Sequence, residues 1–218
     1  MSNPGWRALR EGRPVLLLLV AVGLVAVRTF PPAAPLAILV AAATALAFRD
    51  PERAVTPMPE VALAPADGRV IHIQRVWDPY WKAELIEIGI FLAIWDVHIQ
   101  RTPLDGEVVG QHQRTGGFRP AMSQLATHGN NQLATYLRTP AGPCVVTQIS
   151  GLIARRIVTW APPGSRLTQG QRLGMIKFGS QVTLRLPLTM GVLVGVGDRV
   201  RAGMTPVAEL AREVSEPG

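Results

Sequence analysis

Arg172-Leu173-Gly174-Met175-Ile176-Lys177-Phe178-Gly179-Ser180-Gln181-Val182-Thr183-Leu184-Arg185-Leu186-Pro187 alternates apolar and polar residues from Ser180 onward. Val182, Leu184 and Leu186 share one face of a strand, with Gln181, Thr183 and Arg185 on the other. Ser180 has the parity of the apolar set, so its hydroxyl points inward. Gly179 lacks a Cβ, which leaves its carbonyl open and its backbone able to take angles other residues resist. An inward hydroxyl beside an unshielded carbonyl is what an intramolecular acyl shift needs. Taken alone, a Gly-Ser pair is an ordinary turn, as at Pro163-Gly164-Ser165, where no alternating strand follows.

The chain has 218 residues, a formal net charge of +7 and an isoelectric point near 10.9. That length suits one globular domain plus an anchor. Lys82 and Lys177 are the only lysines, so the basic character is arginine. Such a balance suits an anionic membrane surface. The sequence has no zinc-finger spacing, helix-turn-helix pattern or basic run interleaved with aromatics, which argues against nucleic acid. Cys144 is the sole cysteine and sits in an apolar run as a small core residue. No intramolecular disulfide can form, in keeping with a reducing compartment. His72, His112 and His128 are scattered without metal-ligand spacing, and no metal is expected.

Residues 14–27 and 33–48 are apolar runs separated by Arg28-Thr29-Phe30-Pro31-Pro32, a helix-breaking turn. Each run is shorter than the ~20 residues of a straight membrane span. Two readings stand: a helical hairpin that dips into or crosses a bilayer, or a buried helix pair. No acidic residue occurs between residues 14 and 49, which favours the membrane. Arg7, Arg10 and Arg13 precede the hairpin, and Arg49 and Arg53 follow it, while its turn carries Arg28 alone. The positive-inside bias then sets both ends, and the globular part, on the cytoplasmic side of a cell membrane.

Beyond residue 53 the chain turns to short β-type runs punctuated by Gly and Pro. Strands are expected over 69–76, 84–92, 107–111, 132–138, 143–149, 152–160, 173–178 and 180–186, with a terminal pair around Val192 and Val207. One short helix is expected near 120–126. Pro65-Ala66-Asp67-Gly68-Arg69-Val70 is echoed by Pro103-Leu104-Asp105-Gly106-Glu107-Val108. Gly164-Ser165-Arg166-Leu167-Thr168-Gln169-Gly170 is echoed by Gly197-Asp198-Arg199-Val200-Arg201-Ala202-Gly203, a turn that resembles those of lipoyl and biotinyl carriers. The expected fold is mainly β (α+β): a pseudo-symmetric β-sandwich or hybrid barrel behind a helical hairpin. Its division is 1–48 for the hairpin and 49–218 for the β-rich part.

Leu92-Ala93-Ile94-Trp95-Asp96-Val97-His98-Ile99-Gln100-Arg101, read as a strand, puts Asp96, His98 and Gln100 on one face. His98 is then a polar side chain in an apolar segment, of the type whose pKa suits proton transfer near neutral pH. Asp67 reads locally as a β-turn residue; its functional reading is to orient His98, which would take the proton from Ser180. Asp105 has an equal local case.

These residues carry a resemblance. The chain resembles the proenzyme of phosphatidylserine decarboxylases of the short, archaeal-like type. The matching stretches are Phe48-Arg49-Asp50-Pro51-Glu52-Arg53, Ala64-Pro65-Ala66-Asp67-Gly68, the segment around Asp96-Val97-His98, Gln148-Ile149-Ser150-Gly151-Leu152-Ile153-Ala154-Arg155-Arg156-Ile157, and Gly174-Met175-Ile176-Lys177-Phe178-Gly179-Ser180. The resemblance implies self-cleavage after Gly179 into chains 1–179 and 180–218, the α and β chains of one precursor, with a pyruvoyl group formed from Ser180. That group would be the electron sink for decarboxylating phosphatidylserine to phosphatidylethanolamine. It implies catalytic roles for Ser180, His98 and Asp67, and contacts to the anionic phospholipid from Arg155, Arg156 and Gln148. A homo-oligomer is left open. Asn130-Asn131-Gln132-Leu133 and Ile94-Trp95 depart from the family's usual residues, so a different amino-acid-headed lipid is an alternative. A non-catalytic, membrane-tethered barrel that binds or carries a group is another, although neither lysine sits at a hairpin tip.

Overall fold

The computed structural model describes residues 5–47, 49–117, 129–151, 157–176 and 180–211. It opens with two helices, α1 (Gly5–Thr29) and α2 (Ala34–Ala47), joined through a 3-10 turn at Pro31–Ala33. The two prolines stop α1, because a proline offers no N–H to the preceding turn. Helix α1 is longer than its apolar run predicts: it continues without interruption on both sides of Pro14. Residues Arg10–Thr29 are long and apolar enough to cross a membrane by length and composition. The helices meet closely at Gly23, where a Cβ would lie 3.6 Å from the Cβ of Ala37. Their apolar side chains are nonetheless bare, with Leu17, Leu18, Leu24, Leu36, Ile38 and Leu39 all exposed. A helix pair buried in a protein core is therefore not what forms.

The strands follow as β1 (Val61–Leu63), β2 (Gly68–Asp78), β3 (Ala83–Leu92), β4 (Ile99–Arg101), β5 (Gly106–Arg114), β6 (Gln132–Thr139) and β7 (Gly142–Ile149). The chain continues with β8 (Ile157–Thr159), β9 (Arg166–Leu167), β10 (Arg172–Ile176), β11 (Ser180–Pro187), β12 (Met190–Val192), β13 (Arg199–Val200) and β14 (Pro206–Leu210). Among the described residues these build an antiparallel eight-stranded sheet in the order β13-β2-β3-β11-β7-β6-β5-β9. Two three-stranded sheets, β1-β14-β12 and β4-β10-β8, accompany it. The expected mainly β fold behind a helical hairpin holds. The long strands were legible as alternating runs, while the two- and three-residue strands β1, β4, β9 and β13 are too short to carry a period. Of the strand expected over 152–160, the described part is β8. The expected helix near 120–126 lies outside the described residues.

The inner face of the large sheet makes the core, with Val70, Ile88, Ile90, Val146, Val182, Leu184 and Leu186 buried to 1% exposure or less. The two sequence echoes interlock around it as a pseudo-twofold. Asp67 accepts a bond from the Ala202 amide at 2.7 Å, and Asp105 accepts one from the Gln169 amide at 2.6 Å. Gln169 and Ala202 hold the same position in their respective echoes. Likewise β13 pairs with the start of β2, and β9 with the start of β5. Gly203 and Gly170, with φ of 68° and 75°, donate to the Ala64 and Thr102 carbonyls, each one residue before a proline. The expected pseudo-symmetry is thus built from reciprocal backbone bonds.

On the outer face lies a buried ionic network. Arg185 donates to Glu87 at 2.7 Å and to Asp78 at 2.9 Å, while His72 and Gln74 donate to the other oxygen of Glu87. Gly89 gives the His72 ring its room, since a Cβ there would lie 2.1 Å from it. Burial, the largest influence, would raise the Glu87 carboxyl. The His72 bond, the Arg185 charge and bond, and the Gln74 bond together outweigh burial and hold the carboxyl at about 2, against an ordinary 4.5. A carboxylate lowered in the folded state stabilises the fold above its ordinary pKa, and that stability is lost as protons bind. Chemical denaturation followed against pH is expected to lose on the order of 3 kcal/mol as pH falls from 4.5 towards 2. Glu87→Gln should flatten that acid limb while lowering stability at neutral pH.

Candidate active site

Strand β11 is the fourth strand of the sheet, paired with β3 on one side and β7 on the other. Its register sets Ser180 opposite Leu92 and Val182 opposite both Ile90 and Gln148. Cross-strand partners share a face, so Ser180, Val182 and Gln148 all point inward, as the alternation predicts. Ser180 is wholly buried, and among the described residues its hydroxyl has no hydrogen-bond partner. The same is true of Gln148 Oε1 and Ser150 Oγ, at the neighbouring end of β7. Buried polar atoms are nearly always bonded, so three orphans at one end of a sheet mark a place for chemistry or for a ligand. Gly179, Lys177 and Phe178 lie outside the described residues, as do Arg155, Arg156 and His128.

His98 lies just ahead of β4 rather than within one continuous strand from Leu92 to Arg101. A turn intervenes: the Asp96 amide donates to the Ala93 carbonyl, and the Ala93 amide donates to Asp96 Oδ2. That turn aims the Asp96 carbonyl at the imidazole, and His98 Nδ1 donates to it at 2.8 Å. With Nδ1 carrying the hydrogen, Nε2 is the nitrogen able to take a proton. Burial is the main influence on the ring and holds its pKa below the ordinary 6.5, against the opposing pull of the Asp96 carbonyl. Behind it, Gln148 donates to Gln100 Oε1 at 2.8 Å, and Gln100 donates to the His98 carbonyl at 3.0 Å. The Ile176 amide donates to the same carbonyl. Since Ser180 follows Ile176 by only four residues, the chain cannot carry it more than ~14 Å away. Ser180, His98 and Gln148 thus belong to one end of the molecule.

Asp67, the residue expected to orient His98, lies close enough for its charge to act on the imidazole. Both oxygens of Asp67 are engaged by Arg53, at 2.6 and 2.7 Å, and one also accepts from the Ala202 amide. The Asp96 carbonyl accepts from His98 Nδ1, and the charge of Asp67 favours the protonated imidazole while that of Arg49 opposes it. Residue spacing gave no sign of the arginine cluster that frames this side. Arg172 pairs with Asp50 at 2.7 Å, and Arg101 donates to the Gly170 and Pro51 carbonyls. Burial first, then the charges of Arg172 and Arg53, lowers Arg101 to about 10. The signal was present in Phe48-Arg49-Asp50-Pro51-Glu52-Arg53, whose charges turn out to clamp the pseudo-symmetric turns.

Two comparisons bear on this arrangement. A family profile described as "Phosphatidylserine decarboxylase" matches residues 40–208. Proteins named phosphatidylserine decarboxylase proenzyme are similar along the chain. One from Nitrosomonas eutropha is 44% identical over 163 residues, 74% of this chain and 76% of that protein. One from Burkholderia multivorans is 37% identical over 213 residues, 96% of this chain and 99% of that one. A Burkholderia cenocepacia protein is 38% identical over the same shares. Apart from these likenesses, the geometry alone makes a measurable claim: in an NMR titration, His98 should show an Nδ1–H tautomer and a pKa below 6.5. A pKa at or above that value would mean the ring is not enclosed as described.

Proposed function

The chain belongs to the phosphatidylserine decarboxylase family, a family of decarboxylases, and from that premise we propose that it converts phosphatidylserine to phosphatidylethanolamine through a pyruvoyl group made from its own Ser180. The observation that carries the reading is the Ser180 hydroxyl, wholly buried and without a partner among the described residues, next in sequence to Gly179. In processing, His98 Nε2 takes the Ser180 Oγ proton as Oγ bonds to the Gly179 carbonyl carbon. The Gly179–Ser180 C–N bond breaks and the freed nitrogen is protonated. Loss of the Ser180 α-proton then breaks the Cβ–Oγ bond and releases a chain ending in the Gly179 carboxylate. Water replaces the nitrogen, which leaves as ammonia, and the second chain begins with a ketone.

The residues present fit such a group, because it reuses a position already enclosed and lined by the orphan atoms Gln148 Oε1 and Ser150 Oγ. A pyruvoyl group supplies an electron-withdrawing ketone conjugated to the chain, which takes up the electrons left by departing carbon dioxide. Gln148 Oε1 accepts from the substrate's amine, and Gln100 holds Gln148 in place. Burial favours the neutral ring, so His98 Nε2 can take a proton from the substrate's ammonium and deliver that same proton to the α-carbon once carbon dioxide has left. Asp67 holds Arg53 and the turn at Ala202, and its charge supports the imidazolium that forms when His98 takes a proton. Arg155 and Arg156 remain candidates for the lipid's anionic groups.

The bare apolar surfaces of α1 and α2 support a division into a membrane hairpin over 1–48 and a catalytic part over 49–218. The flanking arginines favour the cytoplasmic side. The Asn131 side chain accepts from the Gly116 amide; a different amino-acid-headed lipid is the alternative substrate, and decarboxylation assayed on a panel of such lipids separates the two. Mass spectrometry of purified protein is expected to find two chains split between Gly179 and Ser180, the smaller one blocked at its N-terminus. Ser180→Ala should remain a single chain without decarboxylase activity. His98→Ala should slow cleavage by roughly a hundredfold or more. An intact wild-type chain that decarboxylates phosphatidylserine would overturn the mechanism.

A further inference from the structure

The pseudo-twofold supplies an internal control for what is special about the catalytic side. Each half carries a cavity against its Asp-Gly turn. The one beside Asp105 is about 360 Å³, lined among others by Glu107, Arg166 and Thr168. The one beside Asp67 is about 420 Å³ and is lined by Arg49, Arg53, Arg201, Val97 and Met204 together with Glu52. Thr168 and Arg201 occupy the same position in the two echoed turns, so an uncharged residue in one half is a guanidinium in the other. Among the described residues no carboxylate pairs with Arg201, which is exposed. Arg53 and Asp67 neutralise each other through a two-pronged bond, which leaves Arg49 and Arg201 against the single acid Glu52 in the lining. Arg101 behind the wall is held down in part by the charges of Arg172 and Arg53, a sign of crowded positive charge.

The cavity also stands where a lipid head group would have to pass. Val97 in its wall is the neighbour of His98, and the charges of Arg49 and Asp67 both reach that imidazole. On the other side it borders the point where the chain leaves α2, because Arg49 follows Ala47 by two residues. Arg49 donates to the Trp95 carbonyl at 2.8 Å, which fixes an exposed Ile94-Trp95 tip beside the same mouth. Indole side chains favour the membrane–water boundary.

We propose that this cavity is the subsite for the phosphodiester of the lipid substrate, with Arg201 as its principal ligand and Arg49 at the bilayer side. The proposal rests on the decarboxylase reading and specifies the part of the substrate that this wall takes. A guanidinium suits the role because its planar donors match two phosphate oxygens at once. The serine part of the head group then extends past Val97 toward His98 and Ser180, and the glycerol side faces the anchor.

The test uses the full chain, with Arg201→Gln and Arg201→Lys beside the wild type. Decarboxylation is measured on phosphatidylserine in mixed micelles and on water-soluble glycerophosphoserine. Arg201→Gln should raise KM about tenfold on both substrates, with kcat and the extent of self-cleavage unchanged. Arg201→Lys should recover part of the loss, and it replaces the glutamine variant should that one fold poorly. A rise confined to micelles and abolished by salt would overturn the subsite in favour of general attraction to an anionic surface. An unchanged KM on both substrates would overturn it outright and leave the decarboxylase reading standing. If the wild type decarboxylates neither substrate, that reading fails. Calorimetric binding of glycerophosphoserine, weakened about tenfold by Arg201→Gln, would then still support the subsite, and equal binding would sink it.

Discussion

A shift of β11 by a single residue would turn Ser180 out of the core and bring Gln181 in, because side chains alternate strictly along a strand. The constraint that forbids the shift sits on the opposite face of the same strand. Arg185 bonds to Glu87 on β3 and to Asp78 at the end of β2, and both acids are buried. A one-residue slip would leave two buried carboxylates without their cation and carry Arg185 into an apolar core. Breaking such a buried pair costs about 3–5 kcal/mol. The ionic network therefore need not contribute much net stability to matter; it specifies the register, and the register points the hydroxyl inward.

The second organising feature is a symmetry that holds for the backbone and fails for the charges. Both halves close an aspartate onto the amide of an equivalent residue, and both use glycines with positive φ to do so. Only the Asp67 half receives the segment that follows α2. Arg53 lands on Asp67, and Asp50 draws Arg172 and Arg101 around it. One arm thus ties the segment after α2 to the strands β4 and β10, which carry His98 at one end and lead into Ser180 at the other.

Much of this was legible in the sequence, for physical reasons that vary by element. Alternation revealed β11, while β2, β3, β6 and β7 stood out as β-type runs bounded by Gly and Pro. The echoes revealed the pseudo-twofold because turns of this kind need glycine at fixed places. Alternation misled at Leu92 to Arg101, where a short turn closed by Asp96 produces the same spacing as a strand. The choice between Asp67 and Asp105 could not be made locally, since both serve the same backbone bond. What separates them is Arg53, fourteen residues before Asp67, and no pattern of spacing announces a contact of that kind. The extent of α1 was also hidden, because its first turns carry arginine and glutamate rather than apolar residues.

Among the described residues, Ser180 Oγ, Gln148 Oε1 and Ser150 Oγ are buried at one end of the main sheet without a hydrogen-bond partner. Each buried group without a partner costs about 1–3 kcal/mol, so Ser180 Oγ, Gln148 Oε1 and Ser150 Oγ together represent a real share of a domain's marginal stability. The means to satisfy at least one of them is at hand: Gln148 already donates to Gln100, and a serine hydroxyl could rotate toward a carbonyl. A hydroxyl bonded to a backbone acceptor would be tethered away from an attacked carbon, and an occupied amide oxygen could not receive a substrate amine. Their idleness is what the proposed chemistry requires. On the proposed mechanism, the register of β11 is what holds these unsatisfied atoms in place for the reaction.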